Sequence, residues 1–184
     1  MKLKILSFIL ICLLFMQMQS EANNISSSEM EKMLYTMGTS YRSRENFVRT
    51  LKSYRIRTVI DVRTKPFSRY RQFTQEVMKA YLRDNNIHYI YLGNFLGGLV
   101  EGGFENYRKT KKYRKGLRKL KKIAGKTPSV IICSEYNPLN CHRLKIGEDM
   151  EKMGWQVMHI ISHDFSSSTP DVKKYFQQKN KNRK

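Results

Sequence analysis

Long hydrophobic runs and cysteines are both scarce in this sequence. The longest apolar run, residues 5–16, is too short to cross a bilayer with ease, which argues against a membrane-embedded fold. The only cysteines are Cys12, Cys133 and Cys141. The sequence also lacks internal repeats and any composition break that would mark a second domain. We therefore expect one globular domain of ordinary size.

Acidic residues are scarce too, because 15 Asp and Glu stand against 35 Lys and Arg. The formal net charge of +20 at pH 7 is far above what solubility requires. One explanation is a basic surface that is simply solvated. The functional explanation is contact with a polyanion, and nucleic acid, nucleotides and anionic membrane surfaces all fit it.

Residues 1–22 have the three-part pattern of a secretory signal peptide. Lys2 and Lys4 precede the apolar run, and Ser20 and Ala22 have the spacing of a small-residue cleavage site. We therefore predict a cleaved signal peptide over 1–22 and an exported mature chain without a transmembrane segment.

Two alternatives to the signal peptide remain open. The leader could be an uncleaved anchor, or translation could start at Met33, after a polar spacer over 23–33, and give a cytoplasmic domain. The compartment decides the state of Cys133 and Cys141. In an oxidising compartment a disulfide between them is expected, whereas in a reducing one both are free thiols.

Short apolar runs alternate with longer amphipathic segments through residues 34–165. This alternation predicts an α/β fold, a three-layer α/β/α sandwich around a mostly parallel sheet of about five strands, Rossmann-like or rhodanese-like in outline. We interpret residues 166–184 as a basic polar tail. The predicted strands cover residues 34–37, 57–63, 88–92, 128–133 and 155–161.

A strongly basic helix is predicted between the third and fourth strands. Its apolar positions recur near the helical period from Phe104 to Ala124, and its other positions are mostly Lys and Arg. This outer face would bind nucleic acid electrostatically. The residues assigned to the stripe are Arg108, Lys111, Lys112, Arg114, Lys115 and Arg118.

Polar residues collect where the predicted strands end, which is where open parallel sheets bind ligands. The fourth strand is followed by the segment Cys133–Arg143, "CSEYNPLNCHR", which holds two thiols, a carboxylate, an imidazole and a guanidinium. His159 lies in the last strand. The ligand-binding residues predicted at the other strand ends are Gly38, Ser40, Asp61, Arg63, Ser68, Gly97 and Gly98.

Together, "YTMGTS", "IDVRTKPFSR", "LGG" and "CSEYNPLNCHR" resemble the family called domain of unknown function 488. The resemblance covers about Leu34 to Phe165, and the Cys, Glu, Cys-His-Arg block is its specific part. The resemblance implies an α/β sandwich. It does not imply a reaction, because none is established for the family. The chain departs from the family pattern at Thr39, where His is usual, at Ser134, where Ala is usual, and in its leader. The site that the resemblance implies comprises Arg63, Cys133, Glu135, Cys141, His142 and Arg143.

A cysteine nucleophile is one interpretation of this block. Cys133 ends a buried strand and Cys141 lies near a helix start, where helix amides and neighbouring cations favour a thiolate. The layout resembles rhodaneses and Cys-phosphatases in outline only. A phosphatase loop needs Arg six positions after its Cys, where this chain has Leu139.

A zinc site is a second interpretation, since Cys133, Cys141 and His142 are all zinc ligands. We expect adjacent Cys and His side chains not to reach one ion, and a fourth ligand is not evident beyond Glu135 or His159. A nucleobase-deaminase pattern fails because its two halves belong on separate helices. The sequence therefore predicts no metal and no cofactor.

We interpret the block as an anion-binding site that acts on a phosphate-bearing ligand, a nucleotide or nucleic acid. Cys133, Glu135, Cys141 and His142 form the predicted catalytic set, with Arg63 and Arg143 as phosphate clamps. One alternative is a non-catalytic nucleic-acid-binding module with structural cysteines, and a lesser one is a rhodanese-like cysteine enzyme. Glu135 and Arg143 could also form an internal ion pair.

Overall fold

In a computed structural model of the chain, which describes residues 32–181, six strands form a single sheet. They are β1 (Met33–Gly38), β2 (Thr58–Asp61), β3 (His88–Tyr91), β4 (Ser129–Cys133), β5 (Gln156–Ile160) and β6 (Ser166–Ser168). The order across the sheet is β3-β2-β4-β1-β5-β6, and β6 alone runs antiparallel to its neighbour, β5. The α/β class and the mostly parallel sheet are confirmed.

Seven α-helices accompany this sheet within the same residues. They are α1 (Arg44–Ser53), α2 (Gln75–Asp84), α3 (Gly93–Leu96), α4 (Phe104–Tyr107), α5 (Lys111–Ala124), α6 (His142–Glu151) and α7 (Thr169–Lys181). Two 3-10 turns lie at Arg71–Phe73 and Pro138–Asn140.

Two hydrophobic clusters place helices on both faces of the sheet. In the first, side chains of α5 and α6 such as Leu120 and Ile146 pack against Ile131 of β4. In the second, α1 and α2 pack against the alternate residues of the same strands, as Phe47 does with Val130. These three layers are the predicted sandwich.

The central strand β4 reads "SVIIC", and every one of its residues is buried. A continuous β-branched run of this kind suits a parallel strand that is covered on both faces. Its parallel pairing with β1 places Gly38 opposite Cys133, so the ends of the two strands coincide. This register brings the loop that follows β4 to the same edge as the loop that follows β1.

The segment that begins at residue 166 differs from the polar tail expected for it. Residues 166–168 form β6 on the edge of the sheet, and α7 follows directly. Val172 and Phe176, one helical turn apart, are buried against Leu144 and Ile161. Two apolar residues in a polar segment carry too weak a periodicity to reveal this contact from sequence.

The basic helix also differs from its prediction, because it is two helices. The chain leaves α4 after Tyr107 and enters α5 at Lys111, where the Thr110 side chain accepts a hydrogen bond from the Tyr113 amide at 3.1 Å. A threonine in this role starts a new helix. In the same way the Ser43 side chain caps the start of α1 by accepting from the Asn46 amide.

The predicted signal peptide over 1–22, and with it the question of export, lies outside the described residues, as does most of the spacer over 23–33. Among the helices of residues 32–181, none combines the length and the apolar character needed to cross a membrane.

Candidate functional site

A cavity of about 610 Å³ opens at the edge of the sheet where β2 and β4 end. We call it the edge cavity. The loop from Ser134 to Asn140 forms one wall and the start of α6 another, and residues 98 and 99, before α4, close a further side. This is the edge at which the strand-end rule places ligands. The cavity is lined by Cys133, Glu135, Cys141, His142, Arg63, Thr64, Lys65, Gly98 and Lys145, among others.

Three side chains at this cavity form what we call the sulfur–imidazole cluster, namely Cys133, Cys141 and His142. The His142 Nδ1 atom lies 3.7 Å from the Cys133 sulfur and 3.9 Å from the Cys141 sulfur. The three donor atoms all lie within 4.8 Å of one another, and both thiols are free and buried. The cluster could therefore hold a metal ion, which the sequence had argued against.

The backbone explains how neighbouring Cys141 and His142 reach the same point. Asn137 caps only the 3-10 turn that precedes α6, by accepting from the Leu139 amide. The N-cap of α6 is Cys141, in an extended conformation with φ −135° and ψ 136°, and the helix begins at His142. This change of backbone direction between the two residues lets their side chains converge.

The orientation of the His142 ring is fixed by its contacts with Val62, Phe104 and Gly98. Its Nε2 atom lies 3.0 Å from the carbonyl oxygen of Val62, and because a carbonyl only accepts, Nε2 carries the proton. The ring also packs edge-on against Phe104. Gly98 lies so close that an added Cβ would come within 2.4 Å of Nδ1. Nδ1 is thereby directed at the two sulfurs.

The two thiols have opposite shifts in pKa. A hydrogen bond from the Cys133 thiol holds the pKa of Cys141 well below its usual value, and the nearby charge of Arg143 acts in the same direction. The same hydrogen bond, together with burial, raises the pKa of Cys133 well above its usual value. Of the two thiols, Cys141 therefore loses its proton more readily, and it lies at the N-terminus of α6.

Arg143 differs from the clamp expected of it. Its side chain is buried, and its guanidinium donates to the backbone carbonyl oxygens of Glu135 and Tyr136. Within residues 32–181, no carboxylate lies within 4 Å of it, so the alternative ion pair with Glu135 is absent. Arg143 fixes the shape of the loop and places a buried positive charge beside the thiols.

Arg63 is also engaged internally. It lies at the cavity but forms a buried ion pair with Asp61, whose carboxylate accepts from both Nε and Nη2, while Nη1 donates to the Phe73 carbonyl. Tyr89 donates a further hydrogen bond to Asp61 at 2.7 Å. The pair anchors the end of β2 beneath the cavity.

The remaining strand-end residues shape the backbone around the cavity. An added Cβ on Gly38 would overlap the Glu135 carbonyl, and the Ser40 amide and hydroxyl both donate to the Ser134 carbonyl. Gly97 packs against Thr64. Ser68 caps its own turn by accepting from the Tyr70 amide, and it does not line the cavity.

His159 lies apart from the cluster. Its Nδ1 is 2.7 Å from the Thr36 hydroxyl and its Nε2 is 3.0 Å from the Thr169 hydroxyl, all three residues being buried. With both nitrogens engaged between β1 and α7, His159 is not positioned as a fourth zinc ligand.

Two basic residues at the cavity were missed from the sequence. Lys65 lies in the loop after β2, and Lys145 lies on α6, where its Nζ is 3.2 Å from Glu148 and 4.0 Å from Glu105. Lys145 could have been found from sequence, because it is three residues after His142 and so lies on the same face of the helix. Lys65 is two residues after Arg63, and in an extended segment side chains two residues apart point to the same side.

The predicted basic stripe is largely exposed. Five of its six residues have exposed side chains on α5, whereas Arg108 forms a two-pronged ion pair with Asp149 and another with Glu105. The charge of Arg108 is therefore already neutralised. We call the exposed five the α5 basic face, and they are Lys111, Lys112, Arg114, Lys115 and Arg118.

Comparison with known proteins identifies a family that the chain matches. The sequence profile of a family described as "Domain of unknown function DUF488" matches residues 43–149, which is more than half of the chain and includes β2 to β4 and most of α6. No curated protein and no solved structure matches the chain.

Proposed function

Since the chain belongs to the DUF488 family, whose description names no reaction, we propose a function from the geometry alone: an enzyme that acts on a small phosphate-bearing ligand in the edge cavity. The observation that carries the proposal is the convergence of two thiols and an imidazole at the wall of this cavity. Reactive sulfur and imidazole at the end of a parallel strand form the kind of site that open α/β sheets build.

The anion preference comes from the surroundings of the cluster. The N-terminus of α6, a helix of ten residues, is at the cavity, and helix N-termini attract anions. Lys65 adds positive charge at the wall, Lys145 adds an ammonium group that also contacts Glu148 and Glu105, and the buried charge of Arg143 lies behind the loop. Arg63 contributes little to the ligand because Asp61 neutralises it.

The side chains at the cavity have distinct roles in this proposal. The Lys65 and Lys145 ammonium groups hold the phosphate. The sulfur–imidazole cluster is the reactive centre, and Glu135, which is exposed at the cavity, is the group available to accept a proton from an attacking water or hydroxyl.

Ligand-induced stabilisation tests the proposal. A panel of inorganic phosphate, nucleoside monophosphates and nucleoside diphosphates is added to the full chain, and we expect at least one to raise the melting temperature. The shift should be lost in Lys65→Gln and Lys145→Gln and kept in Lys52→Gln, a lysine exposed on α1 across the sheet.

Turnover of the stabilising ligand is then measured. Cys141→Ser and Glu135→Gln should bind the ligand but turn it over at least about 100-fold more slowly. A melting shift that is unchanged by both lysine substitutions, or turnover that survives in Cys141→Ser, would sink the proposal.

A second candidate function, a non-catalytic nucleic-acid-binding module, has one specific observation in its favour. The α5 basic face exposes five cations, and no acidic side chain occurs within α5 itself. Such a face suits phosphate backbones through charge alone. The two functions are compatible, since the basic face and the edge cavity use different residues.

A further inference from the structure

We propose that Cys133, Cys141 and His142 bind one divalent transition-metal ion, with zinc as the best fit, and leave one coordination position open to the edge cavity. The inference deepens the proposed function, because it names the group that would contact the ligand. Only the identity of the group at the open position rests on the proposed function. The assignment of the three protein ligands depends on the geometry of the site alone.

The donor spacing is close to that of a tetrahedral site. Zinc–sulfur bonds of about 2.3 Å and zinc–nitrogen bonds of about 2.0–2.1 Å give a sulfur–nitrogen separation of about 3.5 Å at a tetrahedral angle. The two separations here are 3.7 and 3.9 Å. An ion would shorten these two separations by a few tenths of an ångström, and it would hold the two sulfurs, which lie within 4.8 Å of each other here, about 3.8 Å apart.

His142 already has the second interaction that metal-bound histidines typically have. Its Nε2–H donates to the Val62 carbonyl oxygen, which orients the ring and leaves the Nδ1 lone pair for the ion. Across residues 32–181, the only hydrogen-bonding partners of Nδ1 are the two sulfurs. The imidazole is thus positioned as a ligand rather than as part of a longer proton relay.

Charge balance predicts what the fourth position prefers. A divalent ion with two thiolates is neutral, and each thiol that binds as a thiolate releases its proton to solvent. The buried guanidinium of Arg143 then remains without a counter-charge, since its partners are the neutral carbonyls of Glu135 and Tyr136. An anion at the open position, hydroxide or a phosphate oxygen, supplies that counter-charge.

The open position has room for a ligand. All three donors line the edge cavity of about 610 Å³, and three protein ligands with a free position are characteristic of catalytic rather than structural zinc sites. The donor set of two cysteines and one histidine is one of the sets that such sites use.

Cobalt(II) is the probe for the direct test. The full chain is stripped with chelator under reducing conditions and titrated with Co²⁺. We expect one equivalent to bind, with a sulfur-to-cobalt charge-transfer band and the intense visible bands of a tetrahedral ion, and Zn²⁺ to displace it. Absence of binding, or binding without the charge-transfer band, overturns the proposal.

Substitutions assign the ligands. Cys133→Ser, Cys141→Ser and His142→Gln should each weaken Co²⁺ binding at least about tenfold, and the two cysteine variants should lose charge-transfer intensity. Cys12→Ser and His163→Gln are the matched controls and should change neither. Circular dichroism of each variant confirms folding. Retention of the full charge-transfer band in a folded Cys133→Ser/Cys141→Ser double variant would overturn the assignment.

Inorganic phosphate added to the cobalt-loaded chain reports on the open position. A change in the visible bands supports an open position, and unchanged bands at saturating phosphate contradict it. The same data separate this inference from the proposed function. A cobalt-loaded chain in which no phosphate compound binds defeats the proposed function alone, whereas lysine-dependent phosphate binding by a chain that takes up no metal defeats the metal site alone.

Discussion

The Nε2–H of His142 donates to the carbonyl oxygen of Val62 at 3.0 Å and joins the start of α6 to the residue that follows β2. This one hydrogen bond sets the tautomer of the ring. The other nitrogen then faces Cys133 and Cys141 at 3.7 and 3.9 Å. The sulfur–imidazole cluster therefore depends on a contact made just beyond the end of β2, a strand that contributes none of its three members.

Gly98→Ala should disturb the cluster without unfolding the domain. The new Cβ would lie 2.4 Å from Nδ1 and 2.6 Å from Cγ of His142, so the ring must leave its present position. We expect a loss of about 1–3 kcal/mol in the free energy of unfolding.

Two-dimensional NMR of the histidine side chains should show loss of the Nε2–H tautomer signal of His142. Asn94→Ala, an exposed change in α3, should leave that signal in place. An unaltered signal in Gly98→Ala would contradict the placement of the ring.

Asp61→Asn should be among the most destabilising single changes at the cavity. It leaves the buried guanidinium of Arg63 without a counter-charge, which costs about 3–5 kcal/mol in the free energy of unfolding. Glu76→Gln removes an exposed ion pair with Lys79 and should cost less than about 1 kcal/mol. Urea unfolding measures both.

A double variant, Asp61→Asn with Arg63→Met, separates charge from packing. Because it removes both charges, it should recover part of the loss. If the double variant were less stable than Asp61→Asn alone, the buried charge would not be the cause.

The fold and the position of the site could be predicted from sequence because they depend on local patterns. The run "SVIIC" predicts a buried strand, and the rule for parallel sheets places Cys133 at the edge where ligands bind. The partners of a buried guanidinium could not be predicted from such local patterns. Arg63 and Arg143 were expected to hold a ligand, but burial directs their terminal nitrogens to nearby acceptors, which are Asp61 for Arg63 and the loop carbonyls for Arg143.

The convergence of Cys141 and His142 could not be predicted for a related reason. It depends on the extended backbone of Cys141 at the helix start, together with the close approach of Gly98. Neighbouring residues in one regular element point in different directions, so the sequence argued against a shared ion. A cap position breaks that regularity, and Cys141 occupies it.

Neutralising the α5 basic face should weaken nucleic-acid binding in a salt-dependent way. Lys111, Lys112, Lys115 and Arg118 lie on one side of α5 and are exposed, and a variant with all four changed to Gln is the test. If all four contact phosphates, the slope of log affinity against log salt should fall by about 3–4, with at least about tenfold weaker binding at low salt.

The matched control for this variant removes the same number of charges from α1 and α2, across the sheet. The control changes Arg49, Lys52, Lys79 and Arg83 to Gln. Equal losses in the two variants would show that net charge, not the α5 basic face, drives binding. Wild-type binding that does not depend on salt would rule out the electrostatic mechanism altogether.

Protonation of His159 should destabilise the domain in acid. Thr169 donates its hydroxyl to Glu151, so it accepts from the His159 Nε2–H, and Thr36 donates to Nδ1. Burial, with a smaller contribution from the charge of Arg143, lowers the pKa of His159 from 6.5 to about 3. The unfolded chain therefore binds a proton between about pH 6.5 and pH 3 that the folded chain does not.

The sign of the effect follows from this difference in proton binding. Unfolding is favoured as the pH falls below about 6.5, and this histidine alone contributes up to about 1.4 kcal/mol per pH unit until the pH reaches about 3.

Urea unfolding of wild type and His159→Gln across this window measures the slope. His159→Gln should be less stable than wild type at pH 7 and should lose less stability on acidification. His163→Gln, at an exposed site, should keep the wild-type slope. Parallel curves for wild type and His159→Gln would mean that the buried imidazole is not the group that senses acid.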